Sequence, residues 1–67
     1  MSHALRACLL IRLDARAGTE VSVEDLASHL QLWPLTVRTE LAAMWQEGLV
    51  ELVQDEGGIH AAKVGPL

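Results

Sequence analysis

The chain has 67 residues and a mass of 7.3 kDa, which is enough for one domain with a small core. Its 51% hydrophobic and 21% charged residues are typical of a folded protein and exclude a disordered chain. The net charge of −4 is unusual for a free-standing nucleic-acid binder, and the single cysteine, Cys8, excludes an internal disulfide.

No apolar run in the sequence reaches the roughly 18 residues that a membrane-spanning helix needs. The first residues also lack the basic stretch, apolar core and small-residue cleavage site of a secretion signal. We therefore expect a cytoplasmic protein in which Cys8 stays reduced, and we expect this small side chain to be buried.

The first predicted element is a helix over about residues 2–17, which are rich in the strong helix formers Ala, Leu and Arg. Gly18 follows its last turn, where a left-handed cap residue is favoured. Leucines recur at every fourth position and predict the face that packs inward: Leu5, Leu9 and Leu13.

A second apolar set lies on the other side of this helix, and a helix that is apolar on two sides usually buries both. Its members are Ala4, Ala7, Leu10 and Ile11. Because a chain this small is often stabilised by a partner, we predict a two-fold homodimer, or contact with another protein, through Ala7, Leu10 and Ile11. The alternative is that the C-terminal hairpin or Leu67 covers these residues.

A short segment compatible with a strand, residues 19–21, precedes a second helix that is predicted over about residues 23–30. Ser22 and Asp25 have the spacing of a capping box, in which the Ser22 hydroxyl accepts a hydrogen bond from the Asp25 amide. This pairing predicts that the helix begins directly after Ser22.

Helix 3 is predicted over about residues 34–47, after a tight turn through residues 31–33. Pro34 suits the first helical position, where its missing N–H costs nothing, and Gly48 suits the position after the last turn. The spacing i, i+4, i+7 predicts an inner face made of Val37, Leu41 and Met44.

The remaining segment predicts a β-hairpin with strands over about residues 49–54 and 59–64. Its turn, residues 55–58, ends in two glycines that can take positive φ. Together, the elements predict an α+β fold in a single domain, residues 1–67.

This order of elements resembles a winged helix-turn-helix domain of the bacterial transcription-regulator type. The resemblance covers nearly the whole chain, and three motifs carry it: Val-Ser-Val-Glu-Asp-Leu-Ala at residues 21–27, Thr-Val-Arg with Leu-Ala at residues 36–42, and Glu-Gly-Leu-Val at residues 47–50. It implies a three-helix bundle with a helix-turn-helix, followed by a C-terminal wing of two or three strands.

In this family, helix 3 enters the DNA major groove and the wing contacts a minor groove or the backbone. The resemblance therefore implies binding of double-stranded DNA in transcriptional regulation. Carried over by position, the DNA-binding residues are Leu35, Thr36, Arg38, Thr39, His60 and Lys63. For Arg38 we expect a contact with guanine or phosphate, and an ion pair with a carboxylate is the alternative.

The sequence departs from the DNA-binding pattern at the head of helix 3. Relatives that bind DNA usually carry Ser, Arg or Thr where this chain has Trp33, Pro34 and Leu35. From residue 19 onward, eight acids face two bases, a net charge of −6. The alternative function is a protein-interaction module with Trp33, Pro34 and Leu35 as an exposed interface, unless Trp33 folds back over helix 2 and the wing.

Nothing in the residue spacing predicts catalysis or a bound metal. His3, His29 and His60 lie in three different elements, and the sequence contains no Cys-x-x-Cys pair, so we expect no zinc site. A Gly-rich phosphate loop and a nucleophile elbow are also missing from the sequence. We therefore expect no enzymatic activity, no cofactor and no small-molecule substrate.

Overall fold

The computed structural model describes residues 3–65, and within them six elements follow one another. They are α1 (His3–Asp14), β1 (Val21–Ser22), α2 (Val23–Leu30), α3 (Pro34–Gln46), β2 (Glu51–Asp55) and β3 (Gly58–Lys63). Three helices and one antiparallel sheet confirm the predicted α+β class. None of the helices in this part of the chain combines the length and apolar character that crossing a membrane requires.

α1 ends at Asp14, three residues before the predicted position, and residue 2 lies outside the described residues. After Asp14 the backbone tightens, because the Ala17 amide donates to the Asp14 carbonyl at 3.2 Å instead of to a carbonyl four residues back. Gly18 then takes a φ of 84° and donates its amide to the Val64 carbonyl at 2.8 Å. This bond to the end of the hairpin turns the chain away from the helix axis.

α2 has the predicted bounds, and the predicted cap is confirmed. Ser22 has extended φ and ψ, and its hydroxyl accepts the Asp25 amide at 2.9 Å. At the other end, Gln31 takes a left-handed φ of 57°, and the Leu32 amide donates to the Ala27 carbonyl at 2.8 Å. The tight turn between α2 and α3 is built on these two features.

α3 begins at Pro34, as predicted, and ends at Gln46, one residue early. Its end is a Schellman motif: the Gly48 amide donates to the Trp45 carbonyl at 2.9 Å, and the Leu49 amide donates to the Met44 carbonyl at 3.0 Å. Gly48 has a φ of 78°, which side chains rarely adopt, so a glycine is favoured there.

The sheet has the order β1-β3-β2, so the returning strand of the hairpin is central. The predicted hairpin is confirmed, although β2 begins two residues late and the turn is only Glu56 and Gly57. The turn is short because the Gly57 amide donates to the Asp55 carboxylate at 2.8 Å, which closes it early.

The core lies between the three helices and the inner side of the sheet. Val37, Leu41 and Met44 are fully buried, which confirms the predicted inner face of α3. Around them pack the other buried members of the core cluster: Leu9, Leu13, Val21, Val23, Leu26, Ala27, Val50 and Ala62. The three helices and the sheet therefore all pack on one hydrophobic cluster.

Replacing Ser22 with Ala is expected to destabilise the protein by about 1 kcal/mol, because the Asp25 amide loses its acceptor at the start of α2. Urea denaturation followed by circular dichroism measures the loss. Ser28→Ala is the matched control, since Ser28 is exposed on the same helix. Equal effects of the two substitutions would contradict the capping role of Ser22.

Candidate interaction surface

The side of α3 that lies away from the core carries almost no charge. Among the residues of Pro34–Gln46 that are not buried, Arg38 alone is charged. We call this side the α3 face, and it consists of Leu35, Thr36, Arg38, Thr39, Ala42, Ala43, Trp45 and Gln46. It includes four of the six residues that were predicted to bind DNA.

Two large apolar side chains stand at the head of α3 in contact with solvent. Trp33 is 79% exposed and Leu35 is 71% exposed, while Pro34 between them is half-buried. Trp33 therefore does not fold back over α2 and the hairpin. At the other end of α3, Trp45 is 50% exposed. Exposed aromatic side chains of this size are typical of interfaces.

Arg38 is half-buried and contacts the hairpin. Its Nε donates to the backbone carbonyl of Ile59 at 2.9 Å, which connects α3 to β3. Within residues 3–65 it forms no ion pair with a carboxylate, so the alternative expected for this residue is wrong. The contact arises because Arg38 lies on the side of α3 that approaches the hairpin.

The hydroxyl of Thr39 is used inside α3. It donates to the Leu35 carbonyl four residues back at 2.9 Å. Thr36, one turn nearer the head of the helix, is exposed. No side chain caps the head of α3, because its N-cap residue Trp33 makes no side-chain hydrogen bond there.

The structure places the two remaining DNA-binding candidates on β3. Val53 pairs with Ala61 and Gln54 pairs with Ile59, so His60 is the extra residue of a β-bulge. Its Nδ1 lies 3.1 Å from the Asp55 carboxylate. Lys63 is half-buried at the far end of β3, opposite Glu51, so it lies away from the hairpin turn.

Two carboxylates hold Arg6 of α1, Glu40 of α3 and Glu47 directly after its end, a contact that sequence reasoning missed. Arg6 Nε donates to Glu40 Oε2 at 2.8 Å, and its Nη1 donates to both oxygens of Glu47 at 2.8 Å. Glu40 is only 4% exposed. The available signal was the position of Glu40 between Val37 and Leu41, on the side of α3 that the apolar spacing assigns to the core.

These hydrogen bonds favour the charged form of the guanidinium. The bond to Glu40, followed by that to Glu47, raises the pKa of Arg6 further above its already high ordinary value. Arg6 therefore stays charged whenever the protein is folded. Its charge is taken up by two carboxylates and adds little to any positive surface.

On α1, the predicted dimer surface is divided. Ala7 and Ile11 are exposed, Ile11 by 68%, whereas Leu10 packs against the core of its own chain. Cys8 is exposed, so the prediction that it is buried was wrong. It precedes the buried Leu9 by one position, which on a helix turns a side chain about 100° away from the core.

No family model, curated protein or solved structure matches the chain. Within residues 3–65, no group of three or more His, Cys, Asp and Glu side chains is placed to hold a metal ion. The α3 face is therefore interpreted from its own geometry and charge.

Replacing Arg6 with Met is expected to lower the urea midpoint more than replacing Glu47 with Gln. Without Arg6, the carboxylate of Glu40 stays buried without a cation, whereas Glu47 is half-exposed and keeps its water. Adding Glu40→Met to Arg6→Met should restore part of the loss. Equal losses for the two single variants would show that Glu40 does not need Arg6.

Replacing Arg38 with Leu should destabilise the protein by about 1.5 kcal/mol, because the Ile59 carbonyl loses its charged donor. Amide hydrogen exchange in β3 should accelerate at the same time. Arg16→Leu serves as the control, since Arg16 is exposed beyond the end of α1. Unchanged exchange in β3 would mean that this bond does not hold the hairpin against α3.

Proposed function

We propose that the chain is a winged-helix domain that binds another protein through its α3 face and does not hold DNA by itself. The winged-helix fold in this proposal is supported by the arrangement of α2 and α3 around a tight turn. It is also supported by the three-stranded sheet, in which β1 pairs with the hairpin. The exposed thiol of Cys8 agrees with a cytoplasmic location.

One observation carries the protein-binding function: Trp33 and Leu35 are both exposed at the head of α3. A helix that reads DNA needs cations there, since phosphate neutralisation provides much of the affinity. Here the single cation of the α3 face, Arg38, already donates to Ile59. An apolar, uncharged helix face that a partner protein desolvates gains affinity from burial instead.

DNA binding in transcriptional regulation is the second candidate, and one observation favours it. The head of α3 has no side-chain cap, so its first-turn amides are available to a phosphate. The exposed Thr36 could donate a further hydrogen bond to the same group. Against this stands the net charge of −6 from residue 19 onward, which repels the DNA backbone.

Fluorescence anisotropy with random duplex DNA at low salt distinguishes the two functions. We expect no saturable binding of the native chain at about 50 µM, within the range of roughly 10⁻⁴ to 10⁻⁶ M over which non-specific DNA binders associate. The double variant Leu35→Arg/Thr39→Arg should gain micromolar binding, because both positions are exposed on the α3 face.

Ala7→Arg/Ile11→Arg is the matched control, since it adds the same charge at exposed positions of α1. It should gain much less affinity for DNA than the α3 variant. Saturable micromolar binding by the native chain, lost in Thr36→Val, would replace the protein-binding function by the DNA-binding one.

A further inference from the structure

The α3 face contains an apolar seam with the spacing of a coiled coil. Leu35, Arg38, Ala42 and Trp45 follow one another at intervals of three, four and three residues. Residues at this spacing lie in one line along a helix. The buried set Val37, Leu41 and Met44 lies on the core side, whereas the two ends of the seam, Leu35 and Trp45, are exposed.

The side chains of the seam differ in size in the way that helix–helix packing requires. Leu35 and Trp45 are exposed at its two ends, about 15 Å apart along the axis, and the small Ala42 lies between them. A small residue between two large ones allows another helix backbone to approach closely. Arg38 turns its guanidinium to Ile59, so its methylene stem, not its charge, borders the seam. The length fits a partner helix of about three turns.

Exposed acids lie on the hairpin side of the seam. Arg38 donates to the carbonyl of Ile59, which follows Gly58, and Gly58 pairs with Asp55 across the hairpin. Asp55 and Glu56 are exposed at this turn, and His60 lies beside Asp55. From residue 19 onward eight acids face two bases, so the part of the chain that contains the seam carries an excess of negative charge.

From these observations we propose that the seam docks an amphipathic α-helix of another protein, one with an apolar stripe flanked by Lys and Arg. This inference rests on the proposed protein-binding function and specifies the partner. The apolar stripe would cover Leu35, Ala42 and Trp45, and the basic flanks would face the acids of the hairpin turn. A second copy of this chain fits less well, because two chains of net charge −4 would bring like charges together.

The test uses three synthetic 14-residue helical peptides as probes. One combines Leu at intervals of three and four residues with Lys elsewhere, the second keeps the Lys but replaces Leu with Gln, and the third keeps the Leu but replaces Lys with Glu. Binding to the full chain is followed by intrinsic fluorescence, because Trp33 and Trp45 are its two tryptophans and both are exposed at the ends of α3.

We expect the Leu/Lys peptide to shift the tryptophan emission to the blue and to bind at least tenfold more tightly than either other peptide. Leu35→Ser should weaken this binding by about tenfold, whereas Ile11→Ser, which changes a similarly exposed residue on α1, should leave it unchanged. Because both positions are exposed, both variants should keep the native circular dichroism spectrum.

Five results would overturn the inference. Equal binding of the Lys/Gln peptide would reduce it to charge attraction, and preference for the Leu/Glu peptide would contradict the basic partner. Equal loss of binding in Leu35→Ser and Ile11→Ser would place the contact elsewhere. If no peptide binds and duplex DNA does not bind either, the partner class is wrong while the protein-binding function stands. Saturable DNA binding by the native chain would remove both.

Discussion

Val37, Leu41 and Met44 have no exposed surface, and through them α3 packs against α2, β2 and β3 at once. A chain of 67 residues has room for one such centre, since it buries only about 60% of the surface of its unfolded form. The buried line of α3 consequently determines which of its side chains reach solvent. The exposure of Leu35 and Trp45 follows from the orientation that the core imposes.

The ion pairs around Arg6 show a second consequence of this packing. Glu40 lies beside the buried line and is nearly covered, so its carboxylate depends on a cation that also comes from inside the fold. α1 supplies that cation, Arg6. The same guanidinium also binds Glu47, which follows Glu40 by about two helix turns. The contact joins α1 to α3, and it uses positive charge that a DNA-binding surface would need.

The order of helices and strands resembles that of a DNA-reading domain, whereas Arg38 is the one charged side chain of the α3 face. Arg38 and Thr39 occupy positions where such a helix would present donors, yet each already donates to a backbone carbonyl of this chain. Trp33 and Leu35 stand at the head of α3, where cations would meet phosphates. Hydrophobic side chains therefore lie where a DNA-binding helix would need charged ones, and this is why we propose a protein partner.

Much of the fold was predictable from local patterns in the sequence. The cap at Ser22, the proline at the head of α3 and the glycine after its end are local signals, because each acts on backbone groups within a few residues. The periodicity of the leucines on α1 and of Val37, Leu41 and Met44 identified the inner faces correctly. The excess of acidic residues and the apolar residues at the head of α3 were likewise evident from the sequence alone.

Contacts between residues distant in sequence were decided by the tertiary structure alone. The bond from Gly18 to Val64 ends the α1 segment early, Arg6 meets Glu40 across 34 positions, and Arg38 meets Ile59 across 21. No local pattern specifies these partners, because each depends on how two elements cross once the core has closed. Whether Trp33 and Cys8 lie in solvent was decided in the same way, since a helix or turn can present an apolar side chain to either side until its neighbours pack.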